Sequence, residues 1–266
     1  MNQALRTNLR VFFVGGAIAY RALFNWVHPA IYIPTMLGGP LFQILFFAHL
    51  GRFSGVGNDS FFVIGNAVQV SCMAGIYGST MSIANERHFA TLAPLLATPT
   101  NRLVLFAGRA LPYVANGLFV SAFGFLVGAS FLDLDLAPGS IPLLVPVIMI
   151  TVVSSTFFGM LLGSIGLRAR DVFFVANLAY FLMLLLCGVN VPLESLPSWL
   201  ETIGRALPLT HGIIAARAIA DGAAMASVTG ALTTEAALGA MYGALAYLLF
   251  RFFEAEGRRR ATLETH

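Results

Sequence analysis

Lysine is absent from this 266-residue chain, whose basic residues are fifteen arginines. A Walker A loop uses a lysine to reach the β- and γ-phosphates of a nucleotide, so this chain does not hydrolyse ATP by a P-loop mechanism. Charge of either sign is scarce. Only 10% of residues are charged and 58% are hydrophobic, with a mean hydropathy of +0.83, whereas a soluble domain carries about 25% charge. Little material remains for a water-facing globule. The two cysteines, Cys72 and Cys187, lie in apolar runs without metal-ligand spacing and read as small buried apolar side chains. His28, His49, His88, His211 and His266 are scattered, with no pair at zinc spacing. No nucleophile or metal constellation stands inside the apolar runs, which argues against an intramembrane enzyme. The N-terminus has no compact apolar core followed by a cleavage site, so the first span is expected to act as an uncleaved insertion signal.

What the chain does have is six apolar runs, at roughly 30–50, 61–84, 105–132, 142–166, 173–191 and 235–253. A spanning helix needs about 20 mostly apolar residues. With the N-terminus in the cytoplasm, the inner side holds Arg6, Arg10, Arg21, Arg87, Arg102, Arg109, Arg168, Arg170, Arg251, Arg258, Arg259 and Arg260. The outer side holds Arg52, Arg205 and Arg217, a bias of 12 to 3 that fixes the orientation. The expectation is an all-α integral membrane protein of six transmembrane helices in a bacterial inner membrane, with both termini cytoplasmic. The formal charge of +3 belongs to headgroup contacts rather than to nucleic acid.

Residues 3–26 differ from the spans. Arg6, Arg10 and Arg21 interrupt them and Gly15-Gly16 weakens the middle, which suits a helix lying in the cytoplasmic interface. A seventh span at 11–27 is the alternative. The domain reading is one unit, 1–266, with an interfacial helix (1–27), a six-span core (28–253) and a cytoplasmic tail (254–266).

Two segments depart from the pattern of span plus short loop. Between spans 2 and 3, Phe89, Leu92, Leu95 and Leu96 recur at helical spacing behind Glu86, giving a short helix with one apolar face and a carboxylate near its start. Such a helix either lies on the membrane or docks into a groove of another protein. Between spans 5 and 6, Leu196, Trp199, Leu200, Ile203 and Leu207 form an apolar stripe opposite Glu201, Thr202 and Arg205. A second apolar helix follows from His211 to about Ala220. Both pieces are too short to span, and they read as re-entrant helices in the outer leaflet, where irregular backbone survives if buried in protein or facing water.

The segment NERHFATLAPLLATPTNR resembles the cytoplasmic signature of ABC-2 type permeases, Glu-Arg-x-x-Gly-Thr-Leu-Glu-x-Leu-Leu-x-Thr-Pro, at Glu86, Arg87, Thr91, Leu92, Leu95, Leu96, Thr98 and Pro99. The stretch after span 5 is similar to the same family at Pro192, Leu193, Leu196, Pro197, Trp199, Leu200, Pro208, Leu209 and Thr210. Ala90 and Ala93 stand where the pattern has Gly and Glu, and the second change removes a carboxylate available for a salt bridge. The resemblance implies a coupling helix at 86–98, with Glu86, Arg87, Phe89, Thr91, Leu92, Leu95 and Leu96 contacting a separate cytoplasmic ABC ATPase. No cofactor is expected in this chain; ATP and Mg would be bound by that ATPase. It also implies a second permease, identical or homologous, and export along a path lined mainly by spans 1, 2 and 5. Leu196, Trp199, Leu200, Ile203 and Leu207 would form the outer gate.

Gln43, Asn66, Gln69, Asn177 and Asn190 are the path-lining candidates, each equally able to make an ordinary interhelical hydrogen bond. The apolar character of the spans favours a hydrophobic or amphipathic cargo of the drug or antibiotic type, with a lipid or lipid-linked glycan as the alternative. An autonomous secondary transporter would need midplane ionisable residues or an inverted repeat, and neither is visible in the sequence.

Overall fold

The computed structural model describes residues 3–26, 29–55, 58–88, 102–166 and 171–260. Every regular element among them is helical: α1 (Gln3–Trp26), α2 (Pro29–Ser54), α3 (Asp59–His88), α4 (Arg102–Phe131), α5 (Ser140–Gly166), α6 (Val172–Leu186), a 3-10 turn (Leu193–Ser195), α7 (Ser198–Ala206), α8 (Thr210–Ala220) and α9 (Met225–Arg260). Four of these are long and apolar enough to cross a membrane: Asp59–Ile83, Val104–Phe131, Ser140–Gly166 and Met225–Phe253. Together they make this a multi-pass membrane protein. Helix α2 has 26 residues and Pro34 and Pro40 inside it. Helix α6 is apolar but only 15 residues long.

Helix α3 is the centre of the bundle. Its most apolar window is 78% buried, and α2, α4, α5, α6 and α8 all pack on it. Small residues permit this crowding, because a glycine lets two membrane helices approach to backbone contact. A Cβ at Gly159 of α5 would stand 2.7 Å from the Ile76 backbone of α3. Helix α9 packs along α5 and α8, while α1 lies against α4. The main core joins Val68, Ile76, Val147, Val152, Met183, Leu209 and Ile213. Outward-facing side chains are also apolar, as on α2 (Phe42, Phe46, Phe53) and α6 (Phe173, Phe181, Leu185), as expected of helices whose surroundings are lipid or another subunit. Cys72 and Cys187 are free and buried, as the sequence indicated.

Three boundaries differ from the sequence reading. The last long helix starts at Met225, ten residues before the anticipated 235, and runs for 36 residues. Its polar first turns are made compatible with helix by hydroxyls that turn inward: Thr229 donates to the Met225 carbonyl (3.1 Å), and Thr233 and Thr234 both donate to that of Gly230 (2.9 Å each). Helix α6 stops at Leu186 rather than near 191, because Cys187 caps it and Gly188 turns the chain at φ +75°. Helix α3 continues to His88, so Glu86 and Arg87 lie in the extension of that helix. The rest of the anticipated coupling helix, including Phe89, Thr91, Leu92, Leu95 and Leu96, lies outside the described residues.

Candidate functional site

Two polar constructions stand out in the bundle. The first joins α2, α3, α6 and the turn after α6. Gln43 Nε2 donates to Asn66 Oδ1 (2.8 Å) and to Gln69 Oε1 (2.5 Å). Tyr180 Oη donates to Gln43 Oε1 (2.9 Å). Asn66 Nδ2 donates to Asn190 Oδ1 (2.7 Å) and to the Phe62 carbonyl (2.9 Å). Four of the five path-lining candidates, Gln43, Asn66, Gln69 and Asn190, therefore form one continuous network. The fifth, Asn177, stands apart, accepting from Tyr77 Oη (2.9 Å) and donating to the Phe173 carbonyl (2.8 Å). Asn66 and Gln69 are fully buried, whereas Gln43, Tyr180 and Asn190 are half-buried at the rim.

Arg217 of α8 lies beside the same seam. Its Nη2 donates to the carbonyls of Phe61 (2.9 Å) and Val189 (3.1 Å), and its guanidinium sits 3.6 Å from the Phe61 ring centroid, a cation–π contact. A Cβ at Gly65 would come within 2.5 Å of the Val189 carbonyl and 2.8 Å of Arg217 Nη2, so α3 needs glycine there. Burial pushes the Arg217 guanidinium down to about 10, opposed by Glu194 and Asp221. The group therefore keeps its charge at neutral pH.

The second construction is a cap made by α7 and α8. Glu235, fully buried on α9, accepts hydrogen bonds from the backbone N–H groups of Leu209 (2.9 Å) and Gly212 (3.2 Å). A carboxylate at the start of a helix meets unpaired N–H donors and the positive end of the helix dipole. This contact holds Leu209 at φ 99°, a conformation that residues other than glycine rarely adopt. Tyr242 Oη donates to the Ala206 carbonyl and Thr210 Oγ1 to that of Gly204, both at 2.5 Å. The sequence reading missed Glu235, although a lone carboxylate in an apolar helix is a functional signal by default. Starting the last span at 235 had put it at a solvent edge. The anticipated gate stripe is divided: Trp199 and Ile203 are exposed (64% and 45%), while Leu196, Leu200 and Leu207 are half-buried, and Leu207 lies past the end of α7 as its C-cap. Leu193, Gly204, Leu209 and Ile213, in and around the cap, are all buried.

A family model for the ABC-2 type transporter matches residues 16–220, taking in the polar seam and the α7–α8 cap. The chain belongs to the ABC-2 type transporter family. Its members are membrane subunits rather than catalytic ones. The ABC-2 chain is also 26% identical over 192 residues to the probable multidrug ABC transporter permease YbhR of Escherichia coli strain K12, covering 71% of this chain and 52% of the relative. The protein of the same name from Escherichia coli O157:H7 matches equally. This ABC-2 chain thus spans about half the length of the curated relatives it matches.

Proposed function

We propose that the chain is the permease subunit of an ATP-driven exporter that moves a hydrophobic or amphipathic compound of the drug or antibiotic type out of the cell. The observation that carries this reading is the joint occurrence of the family match over residues 16–220 and a buried polar seam inside a predominantly apolar bundle. The similarity to a multidrug permease favours drug-like cargo over lipid-linked glycan.

In this reading the chain is one ABC-2 domain of six spans in the bacterial inner membrane, α2 and α6 supplying the first and fifth, with α1 in the cytoplasmic interface and both termini cytoplasmic. Residues 86–98 couple it to a cytoplasmic ABC ATPase, which binds ATP and Mg. A second permease faces it across α2 and α6, whose exposed aromatic faces would otherwise meet only lipid. The cargo then passes along the seam and leaves under the α7–α8 cap.

The test is mild-detergent purification of the chain expressed from its native operon, with mass spectrometry of co-purifying proteins. A Walker-motif ATPase at equal stoichiometry is the expected result. Recovery of the chain alone, stable and without an ATPase, would refute the exporter assignment. The double variant Leu92→Asp/Leu95→Asp should insert normally yet lose transport-linked ATPase activity; retained coupling would remove the coupling helix from 86–98.

A further inference from the structure

The hydrogen-bond inventory of the seam is asymmetric. Each amide oxygen in it accepts a bond: Gln43 Oε1 from Tyr180, Asn66 Oδ1 and Gln69 Oε1 from Gln43, Asn190 Oδ1 from Asn66. The nitrogens at the two ends, Gln69 Nε2 and Asn190 Nδ2, are buried and donate to nothing among the described residues. Arg217 Nε is likewise buried without an acceptor among the described residues, and its guanidinium is bonded to the carbonyl of Val189, the residue next to Asn190. Each terminal amide carries two N–H groups. Exchanging O and N on any one side chain would break a bond in the chain and leave the excess of donors unchanged. No carboxylate takes part in the network. Unpaired buried donors are costly, and the seam therefore holds N–H groups whose present neighbours do not fill them, beside a retained positive charge.

We infer that the seam between α2, α3, α6 and the Val189–Asn190 turn is a binding site for the oxygen-rich head of an amphipath, a carboxylate or phosphate group, and that it discriminates against cationic heads. The inference rests on the permease reading above and assigns its cargo a charge class. Gln69, fully buried, supplies the inner donor; Asn190 supplies the outer one; Arg217 supplies a positive field, offset in part by Glu194 and Asp221. Gln43 and Tyr180 are half-buried at the rim, and Phe42 and Phe46 on the same helix as Gln43 and Phe181 next to Tyr180 are exposed, rings along which an apolar tail can lie. The same head chemistry belongs to an anionic phospholipid and to an acidic exported compound.

The experiment uses the full chain in nanodiscs of phosphatidylcholine and two fluorescent probes of matched length, dansylaminoundecanoic acid and its trimethylammonium counterpart. The carboxylate probe should bind roughly tenfold to a hundredfold more tightly, the range expected when hydrogen bonds form to a charged acceptor. Gln69→Glu replaces a donor with an acceptor at nearly constant shape and should reverse the preference. Asn190→Leu, at a half-buried rim position, should weaken carboxylate binding without unfolding the protein and stands in if Gln69 variants do not fold. Equal binding of the two probes, as for a seam that holds water only, would overturn the inference, as would unchanged selectivity in folded Gln69→Glu. With selectivity present, competition by added phosphatidylglycerol identifies the lipid headgroup as the source, and lack of competition identifies the cargo. No ATPase enters this assay. Lost selectivity alongside a co-purifying ATPase would refute the charge class alone, and preserved selectivity without an ATPase would refute the exporter alone.

Discussion

Glu235 offers the sharpest perturbation of the cap. Its two carboxylate oxygens satisfy the Leu209 and Gly212 N–H groups at 2.9 and 3.2 Å in a fully buried site. Glu235→Ala leaves both donors buried without a partner, at about 1–3 kcal/mol each, or about 2–6 kcal/mol together. Glu235→Gln keeps one acceptor and turns an NH2 group towards the other donor, so its cost should be about half as large. The loss is local, because these bonds tie α8 to α9 rather than the long helices to each other. Limited trypsinolysis in nanodiscs reads it directly, since Arg205 and Arg217 flank the joint and cleavage follows the population of the opened form. The expected order of protection is wild type, then Glu235→Gln, then Glu235→Ala, with cleavage at Arg205 rising before global unfolding. Equal protection in all three proteins would refute the claim that Glu235 anchors the cap.

Leu209→Gly should be no less stable than Leu209→Ala in thermal unfolding. Both remove a fully buried side chain, but glycine also relieves the φ 99° backbone, a strain of order 1–3 kcal/mol, and so should reverse the usual alanine-over-glycine ranking. Gly159→Ala should destabilise the bundle by roughly 1–3 kcal/mol, because its methyl would stand 2.7 Å from the Ile76 backbone; the unfolding midpoint in detergent checks it. On the face bearing the α2–α3 turn, Arg52 Nε donates to Asp59 Oδ1 (2.8 Å) and its Nη2 to Asp133 Oδ2 (2.8 Å). Asp59 is buried and Asp133 is 95% exposed, so Asp59→Asn should lower the melting temperature clearly and Asp133→Asn should leave it unchanged.

The long helices were legible in the sequence because apolar runs of spanning length have few other uses. Their ends were less so. The sequence reading starts the last span at 235, past Thr229, Thr233 and Thr234, yet in the fold those three hydroxyls satisfy themselves on their own helix and Glu235 finds its partners at the start of α8. The second cap helix was read from His211 to about Ala220 and found over Thr210–Ala220, ending where Gly222 takes φ +93°. Residue type was enough to single out Gln43, Asn66, Gln69 and Asn190. Their union was not legible, since it joins positions as far apart as 66 and 190 and depends on how α2, α3 and α6 cross. Leu196, Trp199, Leu200, Ile203 and Leu207 do follow helical spacing, but periodicity does not tell which neighbour a stripe will meet, and Trp199 and Ile203 face outward.

Cys72 and Cys187, sealed in the core at 0% exposure, also make the natural chain its own silent background for thiol labelling. A maleimide needs an accessible thiolate, and the folded protein offers none of its own. Single cysteines placed at Asp135, Ser227 and Arg258 can then be labelled without first stripping the native pair from a close-packed bundle. The first two sit at one end of the long helices and the third at the other, so a membrane-impermeant maleimide applied to whole cells would read the orientation of the chain from three substitutions.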